Sequence, residues 1–95
     1  MTETPEARLG RLRSRSMYRG IREMDLILRD FAGRELAALT LPDLDLYEAM
    51  LAENDIDLLS WITGAGEPPA RLAPLIDRIR SGAVGIARPD GPSGP

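Results

Sequence analysis

Apolar residues recur along this chain at intervals of three and four, and this spacing restricts its fold more than any other feature. Ile21, Met24, Leu28 and Phe31 follow the spacing 3, 4, 3, which places all four on one face of a helix. No segment shows the strict polar–apolar alternation of a half-buried strand. A chain of 95 residues has room for one domain. The sequence therefore predicts an all-α fold, a compact bundle of short helices.

Local start and stop signals divide the chain into about five helices. The first is predicted over residues 5–17, and the second begins near Gly20, with Gly33 as a break or bend. Thr40 and Asn54 are predicted to cap the third and fourth helices, and the turn 63–69 precedes the fifth. The buried faces of the third and fifth helices are predicted to contain Leu44, Tyr47, Met50 and Leu51, and Leu72, Leu75, Ile76 and Ile79. In the fourth helix, the residues predicted to lie inside the core or at its border are Leu58, Leu59, Trp61 and Ile62.

The end of the chain differs in composition from the rest. From Ser81 onward the sequence SGAVGIARPDGPSGP is rich in glycine and proline, which do not sustain a helix. We therefore predict a single helical-bundle domain over residues 1–81 and a disordered, flexible tail over residues 82–95.

The composition excludes several kinds of chemistry. The chain has no cysteine and no histidine, so disulfides, zinc clusters, thiol nucleophiles and histidine acid–base catalysis are ruled out. It has no D-x-D-x-D-G loop for a metal and no paired carboxylates in an evident cleft, and we do not expect an enzyme. The N-terminus lacks the pattern of a secretory signal, and no apolar run approaches the ~20 residues of a membrane span. We expect a soluble cytoplasmic protein, a monomer or a dimer.

Charge is unevenly distributed along the chain. Residues 1–34 carry eight arginines and five acids (+3), residues 35–67 carry eight acids and no base (−8), and residues 68–95 carry four arginines and two acids (+2), giving the net −3. The arginines at the start suggest a rival class, a nucleic-acid-binding module. The sequence pI of 4.9 and the absence of a groove-reading motif argue against it.

The segment RGIRE, residues 19–23, is not explained by stability. Arg19 and Glu23 could form an exposed helical ion pair, but base before acid is the poorer order, and a helical Gly20 would cost up to ~1 kcal/mol. Asp25 and Arg29 have the better order and are predicted to be a structural pair. A glycine between an exposed arginine and an exposed glutamate makes a notch where another backbone can approach. Arg19 could grip a carboxylate or carbonyl there. We therefore favour a docking site for another protein over a structural or a catalytic role for this segment.

These residues resemble the FAD assembly factors of succinate dehydrogenase, whose hallmark is RGxxE. The resemblance continues through RGIREMDLILRDFA and then YEAMLAENDIDLLSWITGAGEP, residues 47–68, in the right order and separation. It covers about half of the chain. Tyr18 departs from the family, in which a basic residue often precedes the motif, and the first helix and the tail carry no clear family signature.

The resemblance implies a function. Family members help the flavoprotein subunit of succinate dehydrogenase or fumarate reductase to acquire FAD, covalently joined through the flavin 8α-methyl carbon to a histidine of that subunit. A chain without histidine cannot be the acceptor, and without a GxGxxG turn it offers no dinucleotide-binding fold, so FAD belongs to the client. Arg19, Gly20 and Glu23 are expected to contact the client, flanked by Arg22 and Asp25. Some family members have been labelled antitoxins, which leaves a toxin-neutralising binder as a further alternative.

Overall fold

The computed structural model describes residues 3–83 of the chain. This part folds into five α-helices joined by short turns and contains no strand, which confirms the predicted all-α class. The helices are α1 (Pro5–Arg15), α2 (Arg22–Glu35), α3 (Leu41–Leu51), α4 (Asp55–Thr63) and α5 (Ala73–Gly82), and a single 3₁₀ turn, Leu36–Ala38, follows α2. None of the helices in residues 3–83 is long and apolar enough to cross a membrane.

The predicted capping residues start their helices as expected. The Thr40 hydroxyl accepts a hydrogen bond from the backbone N–H of Asp43 (3.2 Å), and the Asn54 side chain accepts from the N–H groups of Ile56 (2.8 Å) and Asp57 (3.3 Å). These bonds satisfy amide groups that the first turn of a helix leaves free. The positions of α3 and α4 are therefore set locally.

One hydrophobic core joins the five helices. Phe31 of α2 and Tyr47 of α3 stack at its centre, with ring centroids 5.8 Å apart. Trp61 lies at the border of the core, 9% exposed, as expected for a lone tryptophan on an apolar helix face. The predicted buried faces are confirmed except at Ile21, which is only partly buried, and Leu59 lies at the border of the core. The core comprises Leu12, Met24, Ile27, Leu28, Phe31, Ala32, Leu36, Leu39, Leu44, Tyr47, Met50, Leu51, Leu58, Trp61, Ile62, Leu72, Leu75, Ile76 and Ile79.

Glycine positions set the start of α2, which lies close to the predicted start near Gly20, and account for two wrong predictions. Helix α2 begins at Arg22 because Gly20 has φ +99°, outside the right-handed helical region. The same helix runs through Gly33 to Glu35, since buried Phe31 and Leu36 hold its two flanks in the core. Helix α5 continues through Ser81 to Gly82, where the Arg34 side chain occupies the space that a Cβ would need. At Gly33 and Gly82, packing of the helix therefore outweighs the low intrinsic helix propensity of glycine.

Two other predicted boundaries are the end of the first helix and the start of the C-terminal tail. Helix α1 ends at Arg15 with Ser16 as its C-cap, two residues earlier than the predicted end at Met17. The predicted tail, 82–95, lies outside the described residues apart from Gly82 and Ala83. The extent of the tail and the domain boundary at residue 81 stay predictions.

The acidic centre of the sequence folds against arginines from its two ends. Arg8 contacts Asp45 (2.7 Å) and Arg11 contacts Glu48 (2.9 Å) across α1 and α3. At the other side Arg78 of α5 contacts Glu35 (2.7 Å). The uneven charge along the chain is therefore partly neutralised within the fold.

Candidate protein-docking site

The turn between α1 and α2, residues 16–21, has an unusual backbone. Tyr18 has φ +58° and Gly20 has φ +99°, so the two neighbours of Arg19 both have positive φ. Glycine adopts such a conformation without strain, whereas a residue with a Cβ is disfavoured by about 1–2 kcal/mol. Tyr18 is the only non-glycine residue with positive φ in residues 3–83. The turn must therefore be held in place by other contacts.

The Arg19 side chain is turned inward, and the prediction that it is exposed is wrong. Only 13% of it is accessible. Its Nε and Nη2 groups donate to one carboxylate oxygen of Asp55 (2.9 and 2.6 Å), and Nη2 also donates to the carbonyl of Leu51 (2.7 Å). Its Nη1 group donates to the carbonyl of Arg15 (2.9 Å). Most of its donor groups are therefore used within the chain.

These contacts suit the electrostatics of helix ends. Arg15 and Leu51 are the last residues of α1 and α3, where free carbonyl groups concentrate negative partial charge. Asp55 is the first residue of α4, where the amide groups favour a negative charge. The Arg19 guanidinium thus links the ends of three helices. The ion pair between Arg19 and Glu23 that was considered from the sequence does not form.

Asp25 fixes the backbone of the same turn. Its Oδ1 accepts a hydrogen bond from the backbone N–H of Arg19 (2.9 Å). Among residues 3–83 it forms no ion pair with Arg29, so the predicted structural pair is wrong. The carboxylate instead bonds back to the turn that precedes its helix. Arg19 and Asp25 together hold the turn from two directions.

The outer face of the turn is open. Gly20 is exposed, and a Cβ built on it meets no atom within 4 Å. Arg22 and Glu23 are exposed on the first turn of α2, and neither forms an ion pair with another residue of the range 3–83. The notch predicted at Gly20 therefore exists, with Glu23 and Arg22 beside it rather than Arg19.

A shallow cavity of about 460 Å³ lies beside this notch; it is lined by Met17, Tyr18, Gly20, Arg22, Asp25, Leu26 and Arg29. Leu26 was not singled out from the sequence, and Tyr18 and Arg29 were named there but not predicted to belong to the site. Tyr18 is 87% exposed and Leu26 39%, which is high for such large apolar side chains. Leu26 falls outside the apolar stripe of α2, and that is the sequence signal that could have identified it.

Beneath the turn, a buried hydrogen-bond chain ties α1 to α3. The Ser16 hydroxyl lies 2.7 Å from the carbonyl of Leu12 and 2.6 Å from the Tyr47 hydroxyl. Ser16 has one proton, and the carbonyl can only accept, so Ser16 donates to Leu12 and accepts from Tyr47. Burial raises the pKa of Tyr47 to about 12. The core side of the turn is therefore neutral and fully bonded.

The arginines that suggested nucleic-acid binding are partly occupied elsewhere. Arg8 and Arg11 contact acids of α3, and Arg11 also contacts Glu3 (2.8 Å). The hydrogen bond from Arg11 lowers the pKa of Glu48, which keeps this carboxylate charged. With Arg19 also turned inward, three of the six arginines in residues 8–22 face acids of the same chain. The geometry gives no support to a continuous basic face.

The matches to known proteins extend over most of the described part of the chain. The family model Sdh5, described as the flavinator of succinate dehydrogenase, matches residues 10–83. The chain is similar to the mitochondrial succinate dehydrogenase assembly factor 2 of Candida glabrata, 40% identical over 63 residues, and of Schizosaccharomyces pombe, 39% identical over 69 residues. It is also similar to the FAD assembly factor SdhE of Legionella pneumophila, 35% identical over 63 residues.

The extent of the matches differs between these relatives. The two fungal matches cover 66% and 73% of this chain but only 41% and 50% of the fungal proteins. The bacterial match covers 66% of this chain and 80% of the relative. No solved structure gives a significant match.

Proposed function

Because this chain belongs to the Sdh5 family of succinate dehydrogenase flavinators, we propose that it is an assembly factor for a flavoprotein subunit. Its client is the flavoprotein subunit of succinate dehydrogenase or of a related fumarate reductase, and it promotes the covalent attachment of FAD there. The proposed place of action is the bacterial cytoplasm. The family match over residues 10–83 includes both the RGIRE turn and α4, which holds Arg19 from below.

The exposed notch at Gly20 is the observation that carries this proposal. A protein that assists another must offer a surface, and this one combines a bare backbone with unpaired charges at Arg22 and Glu23. The charged side chains cost little when exposed and gain a partner when a complementary surface covers them. We assign the client contact to the outer face of the turn at Gly20 and Glu23, flanked by Arg22 and Asp25, with Arg19 holding the turn from the inner side.

The adjoining face of α2 indicates the chemistry of the client surface. Arg22, Leu26 and Arg29 follow the spacing i, i+4, i+7, so they lie along one side of the helix. The two arginines are separated by about 10 Å along the axis, with the exposed leucine between them. A client surface with an apolar residue between two carboxylates complements this face. Tyr18 extends the apolar part of the contact at the end nearest the notch.

A binding protein of this kind needs no reactive group of its own. It need only favour the client conformation in which the acceptor histidine and the flavin are aligned. This chain has no histidine to accept the flavin, so the acceptor and the bond-forming chemistry belong to the client. We therefore propose a non-catalytic role, with FAD bound by the client and not by this chain.

Co-expression tests the proposal directly. The flavoprotein subunit is produced with and without this chain, both samples are denatured and separated on a gel, and flavin fluorescence is read in the subunit band. We expect strong fluorescence with this chain and weak fluorescence without it. Equal fluorescence in the two lanes, at equal amounts of subunit, would count against an assembly role.

A further inference from the structure

The turn that carries the notch is held in a conformation that its own residues do not favour. Tyr18, with φ +58°, is a bulky residue in the left-handed region, and such residues persist only where surrounding contacts enforce them. Its side chain is 87% exposed, so burial of the ring does not supply the enforcement. The turn is held instead at the residue between the two positive-φ positions, Arg19, through its backbone bond to Asp25 and through its buried side chain.

Arg19 is in turn held by a residue far away in the sequence. The strongest of its contacts is with Asp55, 36 residues on, at 2.9 and 2.6 Å. Two backbone carbonyls, of Arg15 and Leu51, complete the set around the guanidinium. A carbonyl dipole attracts a cation less strongly than a full negative charge does, so Asp55 is the main partner.

We propose that Asp55 is a positioning residue for client binding, acting through Arg19 to hold the Tyr18–Gly20 turn in its open shape. Asp55 does not line the cavity beside the notch. Its effect is therefore indirect: it fixes the guanidinium, the guanidinium fixes the backbone of Arg19, and the backbone sets the two flanking positive-φ residues. The inference rests on the proposed function, since the turn matters only if a client meets it.

The chain contains a matched control for this role. Asp57 lies in the same first turn of α4, is exposed, and forms no ion pair with another residue of the part described. The N-cap Asn54 bonds to the backbone N–H of Asp57, which a side-chain substitution leaves in place. Asp55→Asn and Asp57→Asn therefore remove the same charge from the same helix end, and only the first disturbs Arg19.

Two measurements test the proposal, and one of them needs no client. Hydrogen exchange of the Arg19 amide in the isolated protein reports on the turn, because that N–H is bonded to Asp25 (2.9 Å). Titration with the purified, FAD-free flavoprotein subunit reports on docking. For Asp55→Asn we expect at least tenfold faster exchange and at least a tenfold loss of client affinity. For Asp57→Asn we expect changes within twofold in both.

The outcomes separate this proposal from the proposed function. If the wild-type chain does not bind the subunit, the proposed function fails. Independently of that result, an unchanged rate of hydrogen exchange at the Arg19 amide in Asp55→Asn would overturn the positioning role. If the wild type binds and Asp55→Asn binds equally well, the positioning role fails alone. Should Asp55→Asn not fold, Asp55→Glu replaces it, because it keeps the charge but moves the carboxylate by one methylene. We then expect a smaller loss of affinity with faster exchange, and wild-type values in both would overturn the proposal.

Discussion

Substitution of Gly20 separates the backbone strain of the turn from the contact that the turn makes. Gly20 has φ +99°, and a Cβ at this position meets no atom within 4 Å. A side chain of any size therefore costs the same backbone strain, on the order of 1–2 kcal/mol, and no steric clash. In a domain of this size 1 kcal/mol lowers the melting temperature by about 4–8 °C. Gly20→Ala and Gly20→Arg should thus be destabilised equally.

The two variants should differ in how well they bind the client. The alanine methyl group occupies little of the space beside Gly20, whereas the arginine side chain extends into the cavity of about 460 Å³ where we place the client. We expect flavin attachment to be reduced in Gly20→Ala and abolished in Gly20→Arg. Helical content should stay near the wild-type value in both, because Gly20 lies outside the helices.

The assay combines thermal unfolding, followed by circular dichroism, with in-gel flavin fluorescence of the co-expressed client subunit. Gly10→Arg is the matched control, since Gly10 is an exposed glycine of α1 with equally open surroundings and no place in the notch. It should leave flavin attachment unchanged. A Gly20→Arg variant more than ~1 kcal/mol less stable than Gly20→Ala would refute the strain argument. Equal flavin attachment in the two Gly20 variants would refute the proposed contact between the client and the notch at Gly20.

Three further predictions concern the stability of the bundle. Gly33→Ala and Gly10→Ala should each stabilise the protein by roughly 0.5–1 kcal/mol in urea unfolding, because both glycines are exposed, helical and free of neighbours at Cβ; a loss of stability would contradict the open surroundings. Ser16→Ala should cost about 1–3 kcal/mol by stranding the Tyr47 hydroxyl, more than Tyr47→Phe at about 0.5–1.5 kcal/mol. The double variant should cost less than the sum, and strict additivity would argue against a stabilising hydrogen bond between the two hydroxyl groups. The pKa of Glu48 is lowered in the folded protein, so its contribution is present above the unfolded pKa near 4.5 and is lost as the pH falls through the folded value. Glu48→Gln should therefore flatten the fall in melting temperature below pH 4.5, and an unchanged fall would show that other carboxylates dominate.

The sequence predicts the helices well because helix formation depends on neighbours in the chain. The capping side chains of Thr40 and Asn54 lie within three residues of the amides they bond. The apolar stripes have a fixed period, so the buried faces of α3 and α5 were predicted residue by residue. Glycine was the weakest signal. Gly33 is helical because the buried residues on either side of it, Phe31 and Leu36, hold the helix in the core, and Gly82 is helical with the Arg34 side chain packed against it.

The candidate site was only partly accessible to the same reasoning. Gly20, Arg22 and Glu23 were expected on the surface and lie there. The direction of Arg19 could not be predicted, because its partners Asp55 and Leu51 are 36 and 32 residues away and meet it only when α3 and α4 pack beside α1. Asp25 likewise bonds to the turn instead of to Arg29, as a result of the left-handed residues around Arg19.

The amino-acid sequence by itself determined five short amphipathic helices, their core faces and the RGIRE motif that marks the family, because period, capping and motif are all local properties. Only the tertiary structure decided which member of that motif meets solvent. The ends of three helices converge on the Arg19 guanidinium, and free carbonyls and a carboxylate draw the cation inward. The glycine and the glutamate of the motif stay on the outside.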